Sequence, residues 1–258
     1  MDLGINGRVA LVTGGSQGLG RAAAASLARE GARVAICARG QDKLEETADE
    51  LTGQGGHVSP FVCDLTELQA PGLLVSNVEN SIGPIEILVN NVGGSLGTSD
   101  VLSSTEKDFH RVFEVNLWSA VRLMKLLVPG MQERRWGRVI NIASIYGREH
   151  GGTAPYMAAK ASLIAVTKHL ALTAAPHGVC VNAVAPGSIL APGGSWERFI
   201  NRETAETVNQ FIARNMPIGR FGWPEPVGDT VAFLASECAS LIVGACVNVD
   251  GGQSHSSI

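Results

Sequence analysis

The chain has 258 residues, 45% hydrophobic and 17% charged, with 31 glycines, so it can bury a substantial core and make many tight turns. Its formal charge is −4 and its closest approach to a basic patch, Arg134, Arg135 and Arg138, reads as a solvated helix end; nucleic acid is excluded as the main ligand, because phosphate contacts supply most of such affinity. Five scattered cysteines without a CxxC exclude a disulfide frame and a metal knot, and point to a reducing compartment.

Short β-branched apolar runs recur along the chain at 8–13, 33–37, 57–63, 85–90, 137–144, 179–185 and 245–250. They lack strict alternation, as strands buried on both faces do. Helical patterns fill the intervals at 18–30, 41–53, 67–82, 105–129, 154–175 and 224–236, with Gly31 and Gly53 where C-terminal caps belong. This alternation predicts an α/β fold, a doubly wound parallel sheet with helices on both faces. No linker or repeat interrupts it, so 1–258 reads as a single domain. The one break is 188–219, a long excursion with at least one amphipathic helix. It is either a binding loop or a packed helical connection, and Trp196, Phe199, Phe211 and Met216 either line a pocket or bury the helix.

TGGSQGLG (13–20) follows the first strand and opens the first helix. Gly14 allows a sharp turn, Gly18 a close backbone approach, and Gly20 tight helix–strand packing. The free amides and positive dipole end of that helix suit a pyrophosphate. Further on, SIYGREHGGTAPYMAAK places Ser144 twelve residues before Tyr156 and Lys160 four residues after it. An ammonium one helical turn from a phenol favours the phenolate and makes a working acid–base, although any solvated helix face has the same spacing.

TGGSQGLG, NNVG (90–93), Asn116, Ser144, YMAAK (156–160) and Pro186–Gly187 occur in an order that resembles the short-chain dehydrogenase/reductase family over nearly the whole chain. The resemblance implies a seven-stranded Rossmann fold, an oxidoreductase activity and a homotetramer. It implies that Asn116, Ser144, Tyr156 and Lys160 are catalytic. Tyr156 would be the general acid or base, Ser144 would stabilise the substrate oxygen, Lys160 would lower the phenol's pKa and hold the nicotinamide ribose, and Asn116 would hold a relay water. The cofactor would lie against Gly14, Ser16, Gly18, Leu19, Gly20, Asp64, Leu65, Asn91, Pro186, Gly187 and Ile189, as well as Tyr156 and Lys160. No metal is expected.

The second strand ends in Ala38 and Arg39, where an acidic residue would hold a ribose 2′-hydroxyl and a guanidinium would take a 2′-phosphate. With no opposing carboxylate evident, NADP is favoured, with NAD as the alternative. Ser144 to Tyr156 is one residue tighter than the commonest family spacing, a difference that Gly151 and Gly152 can absorb. Tyr146 reads as pocket wall, while Arg148, Glu149 and His150 either reach the substrate or are solvated. Ala191 stands near a threonine common in the family, and Arg134 and Arg135 suit docking of an acidic carrier protein only in part, since His177 and Gly178 occupy the region of a second arginine. The expected substrate is a small or medium, mostly apolar ketone or secondary alcohol. The alternatives are an NAD-dependent catabolic dehydrogenase, a 3-ketoacyl-thioester reductase and a dinucleotide sensor without turnover. The start shows no leader pattern and no run is long enough to span a bilayer, so the expectation is a cytoplasmic protein with no membrane partner.

Overall fold

The computed structural model describes residues 2–257; Met1 and Ile258, which the single-domain reading also covered, lie outside the described residues. Strands β1 (Val9–Thr13), β2 (Arg33–Ala38), β3 (His57–Val62), β4 (Ile87–Asn90), β5 (Gly137–Ile142), β6 (Val179–Pro186) and β7 (Cys246–Val249) form one parallel sheet in the order β3-β2-β1-β4-β5-β6-β7. All residues of β1, β4, β5 and β6 are buried, as strands covered on both faces must be. The edges differ. β3 holds only exposed and half-buried positions, which corrects the expectation of a strand buried on both faces. Pro60 lies within it, and a proline, having no N–H to give, is tolerated at a sheet edge.

Helices α1 (Gly18–Arg29), α2 (Gln41–Gly53) and α9 (Pro224–Leu234) cover one face, where Ala24, Leu27, Leu44, Leu51 and Val231 pack against Val12 and Ile36. Helices α3 (Ala70–Ser81), α5 (Ser119–Glu133) and α6 (Ala154–Ala174) cover the other, with Leu74, Leu123, Leu127 and Leu163 against Leu11 and Leu88. Each Leu or Ile fully removed from water contributes about 1.5–3 kcal/mol.

Several local expectations change. The helix expected over 105–129 is α4 (Glu106–Phe113), a π-helical turn (Glu114–Trp118) and α5, which runs on through Pro129. The helix expected from 67 begins at Ala70, because an Asx turn at Asp64 and a turn at Glu67 precede it. Gly53 ends α2 inside the helix, and Gly55 takes the left-handed conformation instead. The excursion holds two helices, α7 (Ser195–Arg202) and α8 (Ala205–Asn215). Trp196 packs on Phe199, Phe211 and Phe221 at centroid separations of 5.6, 4.8 and 5.3 Å, so these rings bury the two helices against each other. Arg138 is no solvated helix end. It lies on β5 and is 2% exposed.

Candidate active site

The strand order reverses direction between β1 and β4, and the crevice beyond the carboxyl ends of such strands is where open α/β sheets bind ligands. The turn after β1 is built for an anion. No side chain caps α1, and its first turn carries no acidic residue, so its leading N–H groups stay free of local acceptors. Gly14 has φ +64°, and a Cβ on Gly20 would stand 2.1 Å from the Gly14 carbonyl oxygen, so α1 approaches the turn as closely as only glycine allows.

Asn91 clamps this turn to β4. Its Nδ2 donates to the carbonyls of Thr13 (2.9 Å) and Gly14 (3.2 Å), and its backbone N–H donates to Thr13 Oγ1 (2.9 Å). Ser16 is tied to α2 through its carbonyl, which accepts from Thr47 Oγ1 at 2.8 Å. Leu19 is half-buried beside the turn, facing the core that packs under α1. Leu65 is buried in the opposite core, so only its backbone faces outward.

Arg39 ends the second strand with its side chain 78% exposed, and Asp64 Oδ2 stands 4.0 Å away. The guanidinium is therefore not unopposed, as the sequence suggested. Asp64 is itself held by the Thr66 N–H (3.0 Å) and hydroxyl (2.7 Å), bonds that lower its pKa.

Pro186 closes β6 and Gly187 follows it. Ile189 then forms a parallel bridge with Gly222, in which Gly222 N–H donates to Ser188 O (3.0 Å) and Leu190 N–H to Gly222 O (2.9 Å). That pattern directs the N–H and C=O of Ile189 itself away from Gly222. Ala191 faces Gly18, where an added Cβ would stand 3.6 Å from the Ala191 Cβ. A cleft of about 460 Å³ opens here beside Pro192 and Ile200.

Ser144, at the end of β5, is 6% exposed and caps the short helical turn Ile145–Gly147 by accepting from Tyr146 N–H at 3.1 Å. Tyr156 and Lys160 lie one turn apart on α6, with Lys160 Nζ 5.6 Å from the Tyr156 ring centroid. The ammonium donates to Ile142 O at 2.7 Å and is 3% exposed, and burial pulls its pKa down to about 7. Burial pushes the Tyr156 phenol up, the hydrogen bond with Ser144 opposes it, and the neighbouring Tyr146 adds to the rise. Burial is thus the largest influence on the phenol in the cofactor-free chain, and Ser144 is the group that counters it.

Asn116 sits in the π-helical turn, 1% exposed. Its Nδ2 donates to Gly94 O (2.8 Å) and Val112 O (2.9 Å), and its Oδ1 accepts from Gly94 N–H (2.9 Å). A Cβ on Gly93 would fall 2.6 Å from Asn116 Oδ1 and 3.0 Å from Lys160 Nζ. Glycine leaves that spot clear, within reach of both polar atoms.

A second cavity, about 600 Å³, is walled by Tyr146, Glu149, His150, Met157 and Asp100. Its charged rim departs from the low charge anticipated around the pocket. Arg148 does not face it as a free group, since it donates to the Cys246 carbonyl and Asn248 Oδ1 on β7, and Glu149 accepts from His255 N–H at 2.9 Å. The glycines at 151 and 152 close over the Tyr146 ring. Thr13 and Gly93 lie inside the TGGSQGLG and NNVG motifs but were given no role of their own, and the carbonyl of Ile142 carried no signal in the sequence.

A dinucleotide turn at the switch point and a serine–tyrosine–lysine cluster at the adjoining strand ends define a nicotinamide-dependent oxidoreductase of Rossmann type. A family model described as enoyl-(acyl carrier protein) reductase matches residues 14–254. The 3-oxoacyl-[acyl-carrier-protein] reductase FabG of Escherichia coli is 36% identical over 254 residues, covering 97% of this chain and 99% of that one. Among solved structures, an actinorhodin polyketide ketoreductase variant with NADPH superposes with a TM-score of 0.90 at 35% identity, covering 96% of this chain and 98% of that one. The L-sorbose reductase of Gluconobacter frateurii, complexed with NADPH and L-sorbose, gives a TM-score of 0.92 at 32% identity, covering 99% and 100%. The chain belongs to the short-chain dehydrogenase/reductase family.

Proposed function

We propose that the protein is an NADPH-dependent carbonyl reductase acting on a small or medium ketone, with the secondary alcohol as product and Tyr156 as general acid. One observation carries this reading: the Tyr156 phenol lies beside Ser144 and over the buried Lys160, at the carboxyl ends of the strands. The residues fit a dinucleotide, since the uncapped start of α1 and the close Gly14–Gly20 approach form an anion cradle beside them. Gly14, Ser16, Gly18, Leu19 and Gly20 would take the pyrophosphate, Asp64 and Leu65 the adenine end, and Asn91, Pro186, Gly187 and Ile189 the nicotinamide end.

A reduced nicotinamide bound there supplies the hydride. The chain's own groups do the rest. Ser144 donates a hydrogen bond to the carbonyl oxygen as it gains charge, and the Tyr156 O–H gives that oxygen its proton. The cleared spot between Asn116 Oδ1 and Lys160 Nζ suits a water through which Lys160 exchanges protons. Arg39, exposed just after β2 and with only the distant Asp64 carboxylate (4.0 Å) opposite it, supports NADP over NAD through two parallel hydrogen bonds to a phosphate. Replacing Arg39 with alanine is expected to raise the NADPH dissociation constant about tenfold or more and to leave NADH nearly unchanged. Nicotinamide fluorescence titration checks this, and equal affinities before and after would remove Arg39 from the cofactor site.

A second reading, reduction of a 3-ketoacyl thioester, is favoured by the 36% identity to carrier-protein reductases over almost the full chain. Against it, Arg134 and Arg135 are each engaged by a backbone carbonyl, those of Ile85 (2.9 Å) and Pro176 (3.2 Å). Comparing kcat/KM on an acetoacetyl thioester with that on simple ketones separates the two. A homotetramer is the proposed assembly. Trp118 and Leu126 (each 48% exposed) and Leu172 (63%) leave apolar surface on the outer helices for it, and light scattering tests it. No helix among the described residues is long and apolar enough to cross a membrane. The five free thiols support a cytoplasmic site of action.

A further inference from the structure

The segment after β7 touches three parts of the site that are far apart in sequence. Asp250 folds it into a compact turn, accepting from Gly252 N–H (3.0 Å) and Ser254 N–H (2.8 Å). Gly251 packs against Ile218 at the end of the excursion, where a Cβ would come within 2.7 Å of Ile218 Cγ2. The N–H of His255 reaches Glu149, in the loop after Ser144.

Between these contacts Gln253 turns inward and is 7% exposed. Its Oε1 accepts from Ser188 N–H at 2.7 Å. Gly187 makes room for it, since a Cβ there would lie 2.7 Å from that oxygen. The same Gln253 side chain stands beside the Tyr146 phenol, and the Ser188 hydroxyl, buried next to both, has no hydrogen-bond partner among the described residues. Tyr146 walls the 600 Å³ cavity, and its phenol is close enough to Tyr156 to act on it.

An amide that is buried, aimed at a backbone N–H and set beside a phenol is placed to fix both. We propose that Gln253 is a positioning residue for hydride transfer, locking the 187–189 turn and the Tyr146 wall into one rigid face against which cofactor and ketone are aligned. It touches neither reacting atom. Its effect is on alignment, and small errors in alignment cost rate steeply. This inference rests on the carbonyl reductase reading for its kinetic readout and on cofactor binding alone for its second readout.

The test uses Gln253→Met, which keeps the bulk and removes both polar atoms, and Gln253→Glu, which keeps the acceptor for Ser188. Four quantities are measured: melting temperature, the NADPH dissociation constant, the fluorescence gained per bound NADPH, and kcat with the enantiomeric excess of the alcohol from an unsymmetrical ketone. For Q253M the expected result is an NADPH dissociation constant within about twofold of the parent, a clear drop in fluorescence per bound NADPH, kcat down about tenfold and a lower enantiomeric excess. Q253E is expected to recover most of the fluorescence and the enantiomeric excess. Unchanged fluorescence and stereoselectivity in Q253M would overturn the proposal. So would losses that only follow a falling melting temperature, which would make Gln253 a structural tie. If the parent binds NADPH but reduces no ketone, the carbonyl reductase reading fails, and the fluorescence comparison still decides the role of Gln253.

Discussion

Among the described residues two cations are buried, Arg138 on β5 near one end of the sheet and Lys160 on α6 near the other, and their surroundings differ. Arg138, near the amino ends of the strands, donates to Glu237 (3.2 Å), to the Ser240 hydroxyl (2.8 Å) and to the Ser236 carbonyl (3.3 Å). Its guanidinium also lies 4.6 Å from the Trp136 ring centroid, with Arg8 at 3.8 Å from the same ring. Lys160, at the carboxyl ends, has one backbone carbonyl as its hydrogen-bond acceptor, and burial brings its pKa to about 7. A buried charge with a full set of partners is fixed in one state and serves the fold. A buried ammonium held by a single neutral acceptor can lose its proton near neutral pH, and such groups gather at reacting centres.

The widest separation between the two ends comes from Tyr156→Phe. Removing the phenol oxygen deletes the proton donor, and general acid catalysis supplies about 10²–10⁴-fold. A loss of kcat in that range is expected, with NADPH affinity and melting temperature close to the parent. Full activity in Y156F on a ketone that the parent reduces would break the assignment of this end as the catalytic one.

Arg138→Ala should do the reverse. The substitution empties a buried site and strips the Ser236 carbonyl and the Ser240 hydroxyl of a charged partner, while the half-exposed Glu237 is left to water. That loss is about 3 kcal/mol, and at roughly 2–4 °C per kcal/mol for a chain of this size the melting temperature should fall by about 10 °C. The kcat of the folded protein, measured well below the transition, should stay within twofold. A drop in kcat without thermal destabilisation would mean that Arg138 serves the reaction, and the contrast between the two ends would dissolve.

The same contrast explains what could be read in the sequence. The glycine turn and the Ser144–Tyr156–Lys160 spacing were legible because each depends on neighbours within one turn or one loop, and the strand–helix alternation gave the sheet for the same reason. Arg138 was misread because its partners, Ser236, Glu237 and Ser240, stand about a hundred residues away and come into reach only when α9 returns over the sheet. Gln253 carried no local signal at all, since its meaning depends on Ser188 and Tyr146. The burial of β3 was overestimated because Pro60, a mark of an edge strand, stood within an otherwise apolar run. The π-helical turn that seats Asn116 has no periodicity to distinguish it from the helices on either side.

The finest test of the comparison is the pH dependence of stability in the cofactor-free protein. Lys160 titrates at about 7 when folded, against 10.5 for the ordinary side chain. Between those values the unfolded chain binds the proton and the folded chain does not, so this residue makes stability rise with pH across the window, and below about pH 7 its burial is a standing cost. Lys160→Met removes the proton and keeps the apolar stem. The variant should therefore melt above the parent by a few degrees near pH 6, with the advantage shrinking steadily toward pH 10. Arg138→Met should show no such trend. Melting curves of both variants and the parent at four or five pH values decide the matter. A Lys160→Met advantage that is constant with pH would mean that the ammonium keeps its proton in the folded state, and the lysine would then be as inert as the arginine at the other end of the sheet.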